Sequence, residues 1–178
     1  MSRTGGMLSR LLPGTRVDEA ELVAALGAHA GLMLRAASEV LGTMAEAEDV
    51  CQDVAERLLR RRPTEVRSWP GLLKTMAVNA SIDRLRRRRD PGELPEPDRP
   101  AEPDSIELAR QQAAALRRAV GRLSERDARL FGLHFHAGLD HAAIGDALSM
   151  TPNAVGVALH RLRARLTTEL TLQLQEEQ

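Results

Sequence analysis

Residues 68–89 read SWPGLLKTMAVNASIDRLRRRR. Ser68 is a good N-cap, because its hydroxyl accepts from an N–H that the first helical turn leaves unpaired. Trp69 and Pro70 follow, where a proline costs a helix little. Helix formers then run unbroken to an arginine cluster, and Asp90-Pro91-Gly92 predicts the stop. Two apolar stripes recur at helical spacing: Leu73, Met76 and Ala80, then Val78, Ile82 and Leu85. Between them runs a polar stripe of Thr75, Asn79, Asp83 and Arg86, each three or four residues from the last. The pattern predicts a helix held on two sides and showing one narrow polar face. Arg84, Arg86, Arg87, Arg88 and Arg89 complement the dipole at its C-terminal end. Five arginines among six residues exceed what a dipole needs, and point to a polyanion.

The chain has 178 residues, enough for one sizeable domain or two small ones, with 25 basic and 25 acidic residues. A net charge of zero conceals segregation. From Arg57 to Arg89 there are eleven Lys or Arg against Glu65 and Asp83, whereas from Asp90 to Glu107 there are seven acids against Arg99. A basic block joined to an acidic one suggests a nucleic-acid face beside a solvated tether. Trp69, Phe131 and Phe135 are the whole aromatic complement, so Leu, Ala, Val and Met must build the core, a composition that favours helices. Cys51, the single cysteine, forms no internal disulfide and fits a reducing cytosol. No stretch approaches the roughly 20 apolar residues of a membrane span, and the N-terminus lacks a signal-like apolar run. A soluble, cytoplasmic protein is expected.

Outward from residues 68–89, the chain divides. Residues 1–17 read as a loose arm. Residues 18–89 form a first helical domain. Here Asp18 to Leu41 reads as one or two short helices, with Gly27 and Gly31 as break points. Ala45 to Arg62 is a cleaner helix: Val50, Val54 and Leu58, beside Cys51, Ala55 and Leu59, make a broad apolar face. Its outer face is acidic early and basic late, which either complements the dipole or offers an acidic docking face to a protein. Residues 90–104, with five prolines and six acids, predict an extended linker.

Residues 105–178 form the second domain, read as four helices. Ile106, Leu108, Ala113, Leu116, Val120 and Leu123 give the first its apolar positions. Ser124-Glu125-Arg126-Asp127 resembles a capping box and opens a helix that Gly138 ends. Asp140 caps a short helix, His141 to Leu148. Ser149-Met150 turns, and Thr151-Pro152 starts the last helix through Val155, Leu159, Leu162 and Leu166. Short helix, tight turn and capped second helix make a helix-turn-helix.

Each singled-out group has a plain structural explanation beside a functional one. The arginine cluster is either a solvated helix end or a phosphate-binding surface. Asn79 either bonds Asp83 or nearby backbone, or reads a base edge. Trp69 is either core or a stacking platform for an unpaired base. Chemistry is harder to find. His134 and His136 are two apart and point to nearly opposite sides. No cysteine pair, nucleotide-binding glycine loop or nucleophile elbow occurs. An enzyme, a cofactor and a metal are not expected.

AEDVCQDVAERLL, then WPGLLKTMAVNASIDRLRRRR, an acidic proline linker, and LSERDARLFGLHFHAGLDHAAIGDALSMTPNAVGVALHRLRARL together resemble a bacterial sigma factor. The group is the extracytoplasmic-function branch of the sigma-70 family, which keeps only regions two and four. The resemblance runs from about Asp18 to Leu166. It implies an all-α protein of two small helical domains, a region 2 bundle and a region 4 helix-turn-helix. It implies that Asp49, Gln52, Asp53 and Glu56 dock on the β′ clamp helices of core RNA polymerase. Arg67, Trp69, Lys74, Asn79, Arg84, Arg86 and Arg87 would bind and melt the minus-ten promoter element. Thr151, Asn153, Gly156, Val157, His160, Arg161 and Arg163, on the recognition helix, would read the minus-thirty-five element beside the polymerase flap. An anti-sigma factor is an expected partner.

The last helix departs from the family. Where members often carry Lys and Arg, this chain has Gly156 and Ala158, and the turn glycine is Ser149. Trp69 alone remains of the aromatics common in the melting region. Two other readings stay open from sequence: a stand-alone helix-turn-helix regulator that does not join polymerase, and an interaction-only mimic that opens no promoter.

Overall fold

Gly27 and Gly31 do not interrupt the first helix. In the computed structural model, which describes residues 16–88 and 104–176, α1 runs unbroken over Glu19–Leu41 and ends at Gly42. A glycine costs a helix interior about 1 kcal/mol relative to alanine. Packing offsets that, because α1 lies against both α2, Met44–Arg60, and α3, Trp69–Arg87. Gly42 has φ 83° and its N–H donates to the Ser38 carbonyl, turning the chain into α2. By length and hydropathy α1 is the one described helix that meets the requirements for a membrane span. Its Leu22, Met33, Val40 and Leu41 are buried in the protein core.

The α2 face falls as its spacing predicts, with Val50, Val54 and Leu58 buried, although Leu59 is exposed. In α3 the Ser68 hydroxyl accepts from the Gly71 N–H, and the helix stops at Arg87. Leu73, Val78, Ile82 and Leu85 are buried; so are Ala77 and Ser81, whose hydroxyl donates to the Ala77 carbonyl.

The rest of the chain builds α4, Asp104–Arg122, and α5, Glu125–Phe131. A π-helical turn over Gly132–His136 follows, then α6, His141–Leu148, and α7, Pro152–Glu176. Every regular element among the described residues is helical. Ser124 caps α5 by accepting from the Asp127 N–H, and Gly138, at φ 70°, follows the π turn. Ile106 and Leu108 are exposed, against expectation; Ala115 and Ala119 are buried in their place. The segment expected to link the halves lies outside the described residues up to Asp104.

The two groups of helices share one core. Besides its partners α1 and α2, α3 packs on α4, on α5 and on the π turn. The buried cluster runs from Leu22 and Val54 through Ile82 to Leu133 and Leu166 without a gap. Both sides of α3 are therefore covered.

Candidate nucleic-acid interface

The helix-turn-helix is set by local bonds. Asp140 Oδ1 accepts from the Ala143 N–H at 2.8 Å and starts α6. Ser149, at φ 54°, takes the left-handed conformation that ends it. The chain then doubles back so tightly that a Cβ on Gly145 would lie 2.6 Å from the Met150 carbonyl oxygen. Thr151 Oγ1 accepts from the Ala154 N–H at 3.2 Å and caps α7. Ile144, Val155 and Leu159 are buried between the two helices.

That packing turns the other side of α7 outward. Asn153, Val157, His160 and Arg161 are exposed. With Gly156 and His141 they line an open groove of about 450 Å³. Gly156 deepens the groove, since a Cβ there would reach only to 3.5 Å from the His141 ring. Arg163 sits over the exposed Phe135 ring, 5.7 Å from its centroid, as a cation–π pair. Of the seven residues expected to read duplex DNA, Thr151 serves as a helix cap, Arg163 is held on an aromatic face, and the rest bound this groove.

The basic end of α3 is largely engaged within the protein. Arg84 Nη2 donates to Asp49 Oδ2 at 2.9 Å, and its Nε lies 3.6 Å from Glu46. Arg88 pairs with Glu46 through both Nε and Nη2. Arg86 Nε donates to the Leu123 carbonyl at 3.4 Å. Arg87 and Arg67 are exposed, and Arg89 lies outside the described residues. Trp69 is half-buried against the core, with its indole N–H donated to Glu21 at 3.1 Å. Lys74 lies beside Gly138, and Asn79 Oδ1 is buried without a hydrogen-bond partner among the described residues.

On α2, Gln52, Asp53 and Glu56 are exposed, Glu56 pairing with Arg60 one turn on. The structure separates these three from Asp49, which is tied to Arg84. The residue that sequence reading passed over is Glu46. It also accepts from the Thr43 hydroxyl at 2.7 Å. Thr43-x-x-Glu46 before an apolar run is a capping-box signature and was the available signal.

Electrostatics add a second unanticipated feature. Burial lowers the pKa of Arg88. Burial also lowers that of Arg117 on α4, and the charges of Arg88 and Arg118 lower it further. Burial pushes His136 down as well; Glu39 opposes this, while Lys74 and Arg117 add to it. Desolvation, reinforced by Glu48, pushes the Cys51 thiol up. His134 and His136 do diverge: His136 Nδ1 lies 3.8 Å from Glu39, whereas the His134 ring faces His141.

Comparison with protein families gives two matches. Sigma-70 region 2 matches residues 26–90, which span most of α1 with α2 and α3. Sigma-70 region 4 matches residues 113–166, from α4 into α7. No curated protein matches the chain.

Proposed function

We propose a division of labour among the surfaces of this chain from the premise that it belongs to the extracytoplasmic-function group of the sigma-70 family. Members serve promoter recognition and transcription initiation, which imply binding to core RNA polymerase and to promoter DNA. In our reading, α2 docks on the β′ clamp through Gln52, Asp53 and Glu56. The observation that carries this is their exposure: among the described residues, these polar groups make no bond to another element of the fold. Asp49 contributes less directly, by holding Arg84. Arg67, Trp69, Lys74, Asn79, Arg84, Arg86 and Arg87 then meet the minus-ten strand, and the groove on α7 meets the minus-thirty-five element beside the flap. Cations on phosphates supply affinity, and groove contacts from Asn153, Val157, His160 and Arg161 supply selection. The work is binding, done in the cytoplasm where polymerase and promoter meet, and an anti-sigma factor that covers these surfaces fits the same reading.

Run-off transcription with purified core polymerase and a pooled promoter library tests it. Start sites that appear only with this protein and share two spaced motifs support the proposal. Asp53→Arg should abolish those starts and leave DNA binding by the free chain intact. Asp49→Arg is a poorer choice, because it also releases Arg84. DNA binding without any new start would sink the proposal in favour of a stand-alone regulator.

A further inference from the structure

Two glycines stand on either side of the turn between α6 and α7, and packing calls for only one of them. Gly145 has the Met150 carbonyl against it. Gly156 lies inside α7, where a Cβ would meet nothing closer than the His141 ring at 3.5 Å, an ordinary contact. Its backbone is helical, so no left-handed conformation requires a glycine there either. In a helix interior such a residue costs about 1 kcal/mol relative to alanine. What it leaves is a notch in the outward face of α7.

The notch has a fixed wall. His141, the first residue of α6, is exposed and turns its Cε1 and Nδ1 edge toward Gly156. The ring is backed by the π turn: His134 lies 5.9 Å from it between centroids, and Phe135 packs edge-on to His134 at 4.7 Å. Arg163 completes the row over Phe135. The other walls are apolar, from Pro152 and Val157. Asn153 stands one turn before Gly156, and His160 and Arg161 stand one turn after it. Residues at this spacing share one helix face.

The chemistry of base edges decides what such a face can read. In the major groove, guanine, cytosine and adenine are told apart by donors and acceptors, whereas thymine adds an apolar group, its 5-methyl. Asn153 and Arg161 carry side chains that pair with adenine and guanine edges. An apolar notch between them matches the methyl.

We propose that the notch between Gly156 and His141 is a thymine pocket, which seats the 5-methyl group of one thymine in the minus-thirty-five element. His141, from the first helix of the motif, is then a specificity-determining residue beside those of α7. The inference rests on the reading of the α7 groove as the minus-thirty-five surface.

The test uses the chain bound to core polymerase, on promoters recovered from the run-off library. Each thymine of the upstream motif, on either strand, is replaced in turn by deoxyuridine, which keeps the base pairing and removes the methyl. The expected result is one position at which binding weakens about fourfold, the worth of one buried methyl group. Gly156→Ala fills the notch and should make thymine and deoxyuridine equivalent at that position. Because alanine also favours the helix, misfolding does not account for that loss. His141→Ala removes one wall and should reduce the preference to about twofold. An upstream motif without thymine on either strand, or one in which every thymine tolerates the exchange, would overturn the pocket. So would a preference that survives Gly156→Ala undiminished, because the methyl would then sit elsewhere on the groove. Failure to recover any promoter overturns the proposed function and the pocket with it, and it is told apart from the other outcomes because it comes before any exchange is made.

Discussion

Glu46 is expected to matter more for stability than any acid that sequence pattern singles out. It is the counter-charge to Arg88 and a neighbour of Arg84, and it also accepts from Thr43. Glu46→Gln removes the charge and keeps the shape. Fully buried pairs cost about 3–5 kcal/mol to break from one side, and exposed pairs about 0–1 kcal/mol. The Glu46 and Arg88 side chains retain 21% and 16% of their surface, and Arg88, just beyond the end of α3, has some freedom to turn outward. A loss of about 2 kcal/mol follows from these bounds. For a chain of this size that lowers Tm by roughly 4–8 °C. Urea and thermal denaturation read both quantities. The loss should persist at high salt, because a buried pair is screened little. Asp49→Asn is the control: its pair with Arg84 is far more exposed, so less than about 0.5 kcal/mol is expected. Adding Arg88→Met to Glu46→Gln should restore much of the stability by removing the stranded cation. Equal, small effects of Glu46→Gln and Asp49→Asn would refute the reasoning.

Gly145→Ala sets a methyl against the Met150 carbonyl. It should cost about 1–3 kcal/mol and weaken duplex DNA binding through the displaced turn, as urea melts and gel shifts would show. Gly156→Lys meets only ordinary contact with His141. It should stabilise α7 by up to about 1 kcal/mol, and by adding one phosphate contact it should steepen the salt dependence of duplex binding by about one. Because burial lowers the pKa of His136, the folded form resists the proton that the unfolded chain accepts near its ordinary value of about 6.5. Stability is therefore full above that pH and falls as pH drops toward the lower folded value. His136→Gln should flatten this slope in denaturation series between about pH 7 and 5.

The helices and their ends were legible in the sequence, since caps act over three or four residues. Ser68, Ser124, Asp140 and Thr151 all accept the bonds their positions foretell. The outward side of α7 was legible too, once Val155 and Leu159 were assigned to packing against α6. The single α1 was not, because Gly27 and Gly31 are weak helix formers locally, and the packing that holds the helix acts through its other residues, Leu22, Met33 and Val40 among them, against α2 and α3. Nor did pattern reveal which arginines were available. Arg84, Arg86 and Arg88 read as one basic cluster, yet their partners are Asp49, Leu123 and Glu46, 35–42 positions away. Periodicity places a residue on a face; what meets that face depends on distant contacts. The sequence by itself determined an all-helical chain with an acidic helix face, an arginine-rich helix end and a helix-turn-helix. Only the tertiary structure decided that Asp83 and Arg86, on the polar stripe of α3, meet Arg129 and the Leu123 carbonyl. That contact arises from a glycine-sized gap at Gly132 and one ion pair spanning 46 positions, and short-range pattern carries no information at that separation.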